Sequence, residues 1–218
     1  MGKLENLNLQ RENYADKIVK IVEYRIISGE LKPNEKISET SLAKEFDVSR
    51  GPAREALLRL EEMELVLKGH TGRVIKAFSK DEIRENYELK LIVEAYCCMQ
   101  GAYEATERNV SQIRKTLEKT RSFVNSENHK KRLLLNAKFH ELLVLSSKNN
   151  KLVGIYKAQV KKFGWAQSFR ILKYTRSQKS YETHSEILDA FANKDGQKVR
   201  ELTEIHQREV LETLLENI

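Results

Sequence analysis

SETSLAKEFDVSRGPAREALLRLEEME, residues 38–64, reads as two short helices joined by a tight turn. Ser38 can cap a helix through Phe46, with Leu42, Ala43 and Phe46 on one face. Asp47-Val48 is the connection. Ser49 can cap the next helix, from Arg50 to about Glu64. Pro52 is tolerated there because an N–H in the first turn has no intrahelical acceptor to lose. Ala53, Ala56, Leu57, Leu60 and Met63 recur at helical spacing and form that helix's inner stripe. Arg50 and Arg54 are four apart and so share one side. An arginine near a helix N-terminus can bond two acceptors of guanine or clamp a phosphate.

Upstream, residues 12–28 (ENYADKIVKIVEYRIIS) carry Tyr14, Ile18, Ile21, Val22, Tyr24 and Ile26 at near-helical spacing, with Gly29 as a stop. LKPNEK then reads as a turn or short extended piece around Pro33. Downstream, LVLK and RVIKAF flank Gly69-His70-Thr71-Gly72, the signature of a β-hairpin. This hairpin carries Lys68, His70, Arg73 and Lys76 without an intervening acid. Helix, helix, turn, helix and hairpin is the order of a winged helix-turn-helix, so Arg50, Arg54, Arg59, His70 and Arg73 become candidate DNA contacts.

The pattern changes at Ser79. Ser79-Lys80-Asp81-Glu82 has the form of a capping box opening a long helix to about Glu107. Helices are expected over roughly 110–125, 130–147, 149–174, 177–193 and 195–216, with no strand-like alternation. The predicted fold is therefore mainly α: a winged helix-turn-helix with a small hairpin over 1–78, and an all-α bundle over 79–218.

Charge is uneven. The 218 residues carry a net +7, yet residues 111–180 alone hold +14, and residues 181–218 are acidic. A basic block attracts anions such as a phosphate backbone or a small carboxylate, unless it is simply a solvated helical surface. No apolar run approaches the roughly 18–20 residues that a membrane span needs. The first ten residues lack the apolar core of a signal peptide, and the two cysteines, adjacent at 97 and 98, make no disulfide framework. A cytoplasmic protein with no membrane partner is expected.

The second half holds four of the five histidines. Asn136 and His140 are one helical turn apart, while His184 and His206 stand on later helices. A bundle can bring four such donors to one point, and neutral imidazoles are usual ligands of zinc, nickel or iron. For any one histidine the plainer alternative is a core or surface residue. Phe163, Trp165 and Phe169 around Arg170 are hydrophobic core or pocket lining, and Cys97-Cys98 read as packed helix residues.

Residues 27–78 resemble the N-terminal domain of GntR-type transcriptional regulators. The likeness is carried by Gly29-Glu30-Leu31, Leu42-Ala43, Val48-Ser49-Arg50, Pro52, Arg54-Glu55-Ala56-Leu57, Arg59-Leu60 and Gly72. It implies that Arg50 and Arg54 contact double-stranded operator DNA, that Ser49 and Gly51 lie at the phosphate, and that Gly72 sits in the wing. Thr40 and Gly51 depart from the arginine and threonine found in some members. Asn136-Ala137-Lys138-Phe139-His140, Tyr181-Glu182-Thr183-His184 and Ile205-His206 are similar to the FCD-type ligand domain of the FadR branch, over roughly 80–216. There the resemblance implies a divalent metal, of Zn, Ni or Fe type, on Asn136, His140, His184 and His206, with a small carboxylate effector completing its shell. Asparagine stands in place of aspartate, so the shell loses a negative charge. Lys90 stands where an arginine commonly docks the carboxylate, and Arg170 could line the same pocket. The expected function is a homodimeric regulator, more often a repressor, controlled by a small anionic metabolite. The alternatives are a metal-ion sensor, or a metal-dependent hydrolase with a DNA-binding appendage. The hydrolase lacks a general base beside the histidines such as a HExxH helix would supply.

Overall fold

A computed structural model describes residues 13–27, 29–69, 72–162 and 177–216. The chain forms two compact units, Met1–Ala77 and Phe78–Ile218. In the first, α1 (Tyr14–Ile27), β1 (Lys36–Ile37), α2 (Glu39–Glu45), α3 (Arg50–Glu62), β2 (Val66–Gly69) and β3 (Gly72–Ile75) follow in order. Ile18, Val22 and Ile26 of α1 meet Ala53, Ala56, Leu57 and Leu60 of α3 in the core, all buried. Gly29 ends α1 with φ 74°, and Asp47 makes the turn between α2 and α3 with φ 50°. Ser38 caps α2 reciprocally with Ser41.

The sheet has three strands rather than a hairpin alone, in the order β1-β3-β2 and antiparallel throughout. β1 lies in the segment read as a turn or extended piece. Asn34 takes φ 67°, its N–H donates to the Ile75 carbonyl at 2.8 Å, and the Ile75 N–H donates to Glu35 at 2.8 Å. These two bonds lay Lys36–Ile37 along β3, a pairing that a two-residue strand cannot announce by alternation.

The second unit comprises α4 (Lys80–Tyr103), α5 (Glu107–Arg121), α6 (His129–Leu145), α7 (Asn150–Lys162), α8 (Ser177–Ala192) and α9 (Gly196–Glu216). The Ser79–Glu82 capping box opens α4. That helix stops four residues short of the expected Glu107, because Thr106 caps α5 with Asn109 and requires an extended backbone. The expected 149–174 helix is described to Lys162. Phe163, Trp165, Phe169 and Arg170 lie outside the described residues. α9 packs along α4 and α8, and the core between the helices gathers Phe139, Leu143, Phe191, Ile187, Cys97 and Cys98. Both thiols are free and buried. No helix among the described residues is long and apolar enough to cross a membrane.

Gly101 lets α4 and α6 approach closely. A Cβ there would stand 2.8 Å from the Leu143 carbonyl oxygen and 3.1 Å from Ser146 Cβ. Gly101→Ala is expected to destabilise the unit by about 1–3 kcal/mol through overpacking. Gly154 of α7 has nothing within 4 Å of its virtual Cβ, so Gly154→Ala should instead raise stability by up to about 1 kcal/mol. Urea denaturation of both variants checks the opposite signs.

Candidate DNA-reading face and histidine centre

Ser49 ends the turn before α3 with an extended backbone, φ −67° and ψ 165°, and its hydroxyl makes no capping bond. The hydroxyl is therefore free to meet a phosphate. Ser49, Arg50, Gly51 and Arg54 are all exposed. Around Gly51 the nearest atom to a virtual Cβ is Ser49 Oγ at 3.9 Å, so the helix entrance is open. Among the described residues no carboxylate pairs with Arg50 or Arg54. Two uncompensated guanidiniums thus stand at the positive end of a helix dipole, a surface suited to a polyanion.

Arg59 and Arg73 differ. Arg59 is ion-paired with Asp16 of α1 and, at 2.5 Å, with Glu55. Arg73 on β3 is bound to Glu61 of α3 and, at 3.1 Å, to Glu39 of α2. Hydrogen bonds to Asp16 and to Glu61 push the two guanidiniums above their ordinary value. Their charge is spent holding α1 to α3 and the strand to both helices. Gly72 opens β3 with φ 120°, a conformation that favours glycine. His70 lies outside the described residues.

In the second unit, His140 of α6, His184 of α8 and His206 of α9 converge, each buried, with a nitrogen of each within 4.8 Å of the others. The Nε2 atoms of His184 and His206 are 3.1 Å apart. Nitrogens sharing a tetrahedral ion at ~2.0–2.1 Å would stand about 3.3 Å apart, so this spacing suits a common cation. Burial, followed by the neighbouring His206 and His140, holds His184 well below the usual histidine range. It is therefore the neutral imidazole that a metal requires. Phe139 stacks on His184 with centroids 4.5 Å apart and meets His140 edge-on at 5.4 Å. Asn136, one turn before His140, has a buried Oδ1 that no described group hydrogen-bonds. An orphaned buried acceptor is costly, and a cation would relieve it. Three imidazoles and an amide oxygen fit a divalent ion of the Zn, Ni or Fe type.

Two residues that sequence reasoning missed complete the cluster. Glu94 of α4 is wholly buried. Its Oε1 is 2.7 Å from His140 Nδ1 and accepts from Gln207 Nε2 of α9 at 2.8 Å. Its Oε2 is 2.9 Å from Lys90 Nζ. Burial alone would raise the Glu94 carboxyl, but the Lys90 ammonium and then His140 override it and hold the group far below the carboxylate range. Lys90 also donates to Gln207 Oε1 at 2.8 Å and sits 4.9 Å from the Tyr87 ring centroid. Lys90 was expected to dock a carboxylate from outside, yet its charge is already balanced within the protein. A signal for Glu94 existed: it shares the buried register of Tyr87, Leu91 and Cys98 on α4, where a carboxylate needs a partner.

Comparisons with known proteins agree with both halves. The profile of the bacterial regulatory proteins of the gntR family matches residues 14–73, and that of the FCD domain matches residues 85–209. The HTH-type transcriptional regulator YdhC of Bacillus subtilis is 32% identical over 182 residues, covering 81% of this chain and 80% of that protein. The gluconate operon transcriptional repressor of Bacillus licheniformis is 28% identical over 182 residues, covering 83% and 74%. The solved structure of E. coli McbR/YncC superposes with a TM-score of 0.82 at 16% identity, covering 94% of this chain and 99% of that one, a likeness of fold.

Proposed function

The chain belongs to the GntR family of bacterial transcriptional regulators and carries an FCD domain, and from that premise we propose how its two units work. Residues 1–78 bind operator DNA through Arg50 and Arg54, with Ser49, Gly51 and the wing at Gly72 and His70 on the backbone. Arg59 and Arg73 act behind that face by holding its elements in place. Residues 79–218 bind a small anionic metabolite on a divalent cation held by Asn136, His140, His184 and His206, with Arg170 available to the same pocket. The protein acts in the cytoplasm, where the DNA is, and represses. Two relatives named as gluconate operon repressors support that sign.

One observation carries the effector half: three buried imidazoles from three helices converge, and one turn before His140 the buried Asn136 amide oxygen has no hydrogen-bond partner among the described residues. The metabolite favours one arrangement of the DNA-binding heads and shifts the population toward it. The reading is a homodimer, because one winged helix meets only a short half-site and two linked heads gain effective concentration. Leu89, Ile92, Tyr96 and Tyr103 support this. They are exposed at near-heptad spacing along α4, an apolar stripe suited to a second copy.

Selection of binding sites from random duplex DNA with the full-length protein provides the test. A palindromic operator should be enriched, and light scattering should read twice the 25.4 kDa chain. Small carboxylates should then change operator affinity only when a divalent metal is present. A second reading, in which the ion itself is the signal, is favoured by the neutralised Lys90. It requires metal alone to change affinity by the same amount.

A further inference from the structure

We propose that Glu94 is a positioning residue that holds His140 as its Nδ1–H tautomer, so that Nε2 carries the lone pair offered to the histidine centre. Lys90 and Gln207 support it as a tier behind that centre rather than as a dock for an incoming anion. The inference rests on the reading that the three histidines hold a cation.

The geometry leaves little choice of proton position. An ionised carboxylate only accepts. Oε1 of Glu94 lies 2.7 Å from His140 Nδ1, a close charge contact rather than an aligned hydrogen bond, and two lone pairs would repel at that distance, so the proton is placed on the nitrogen that faces the carboxylate. The same oxygen takes the Gln207 Nε2–H at 2.8 Å, and Oε2 faces the Lys90 ammonium at 2.9 Å. Gln207 is oriented in turn, because its Oε1 accepts from Lys90 at 2.8 Å while its amide N–H points to Glu94. The four groups come from α4, α6 and α9, so His140 is tied to both helices that flank it. A proton on Nδ1 leaves Nε2 as the basic nitrogen, and a carboxylate behind an imidazole raises its basicity as a ligand. The balance of charge explains how a wholly buried acid persists. Lys90 cancels Glu94 inside the protein, so the pair adds no net charge to the cation site.

The test uses full-length protein. In the metal-free wild type, two-bond 1H–15N correlation of the imidazoles should show His140 with a pyrrole-type Nδ1 and a pyridine-type Nε2. The His140 signals are assigned by their loss in His140→Gln. Two double variants remove both buried charges and so leave no unpaired ion. Lys90→Met/Glu94→Leu also removes the acceptor, whereas Lys90→Met/Glu94→Gln keeps an amide oxygen there. Co2+ is the probe, titrated against a competing chelator. The leucine variant should bind it about 10–100-fold more weakly than wild type and lose the fixed tautomer. The glutamine variant should fall between, with the tautomer retained. Equal Co2+ affinity in the leucine variant and wild type, or a wild-type His140 protonated on Nε2, overturns the proposal. Should the leucine variant fail to fold, the glutamine variant decides the affinity question by the same comparison. A wild type that takes up no Co2+ sinks the cation reading instead, and the metal-free spectrum still decides the role of Glu94.

Discussion

Arg50→Ala with Arg54→Ala is expected to abolish specific operator binding while leaving the melting temperature of the protein unchanged. Both side chains are exposed and neither makes an ion pair among the described residues, so no intramolecular contact is lost. On DNA, a good bidentate arginine–guanine contact is worth roughly 1–3 kcal/mol of discrimination. In the proposed homodimer, two such residues in each of two heads remove enough to leave only the salt-dependent, sequence-independent attraction. Fluorescence anisotropy with the selected operator and with a scrambled duplex would show the two affinities collapse together. Retained preference for the operator would move base recognition away from the start of α3. Arg73→Ala provides the contrast. It breaks contacts to Glu39 and Glu61, so its effect should include a lowered melting temperature of the first unit.

Phe139→Ala is expected to cost the second unit about 3–5 kcal/mol, the usual loss for deleting a fully buried aromatic ring. Phe139 is wholly buried, and its ring packs on two of the three converging imidazoles, flat on His184 and edge-on to His140. The loss should therefore reach the histidine centre as well as the core. Chemical denaturation would give the stability change, and Co2+ affinity measured well below the unfolding transition would give the second effect. Phe139→Leu keeps most of the volume and should cost much less, but it removes the ring stacked on His184. Unaltered Co2+ affinity in both variants would mean that the imidazoles are positioned without Phe139.

Much of the architecture was legible because it follows from local rules. The capping serines at 38 and 79, the glycine at 29 and the stripe from Ala53 to Leu60 each act within a few residues, and each lies where local propensity places it. β1 escaped notice because two residues are too few to show alternation, and its pairing partner is about 37 residues away in the chain. The arginines show the same division. Helical spacing identifies Arg50 and Arg54 as a pair, and it places Glu55 one turn before Arg59, but it does not show the second partner that ties Arg59 down. Asp16, which occupies Arg59, belongs to another helix.

Sequence by itself determined the family, the helix-turn-helix order and which histidines to look for in the second unit, where His140, His184 and His206 converge. Only the tertiary structure decided that Glu94, Lys90 and Gln207 stand behind those histidines and that Lys90 is already neutralised. The physical reason is burial. In water the side chains of Lys90 and Glu94 would be one surface pair among many, whereas inside the bundle their remaining donors and acceptors need a partner from a neighbouring helix, here Gln207 and His140. Which helix supplies it is a property of packing across more than a hundred residues of chain.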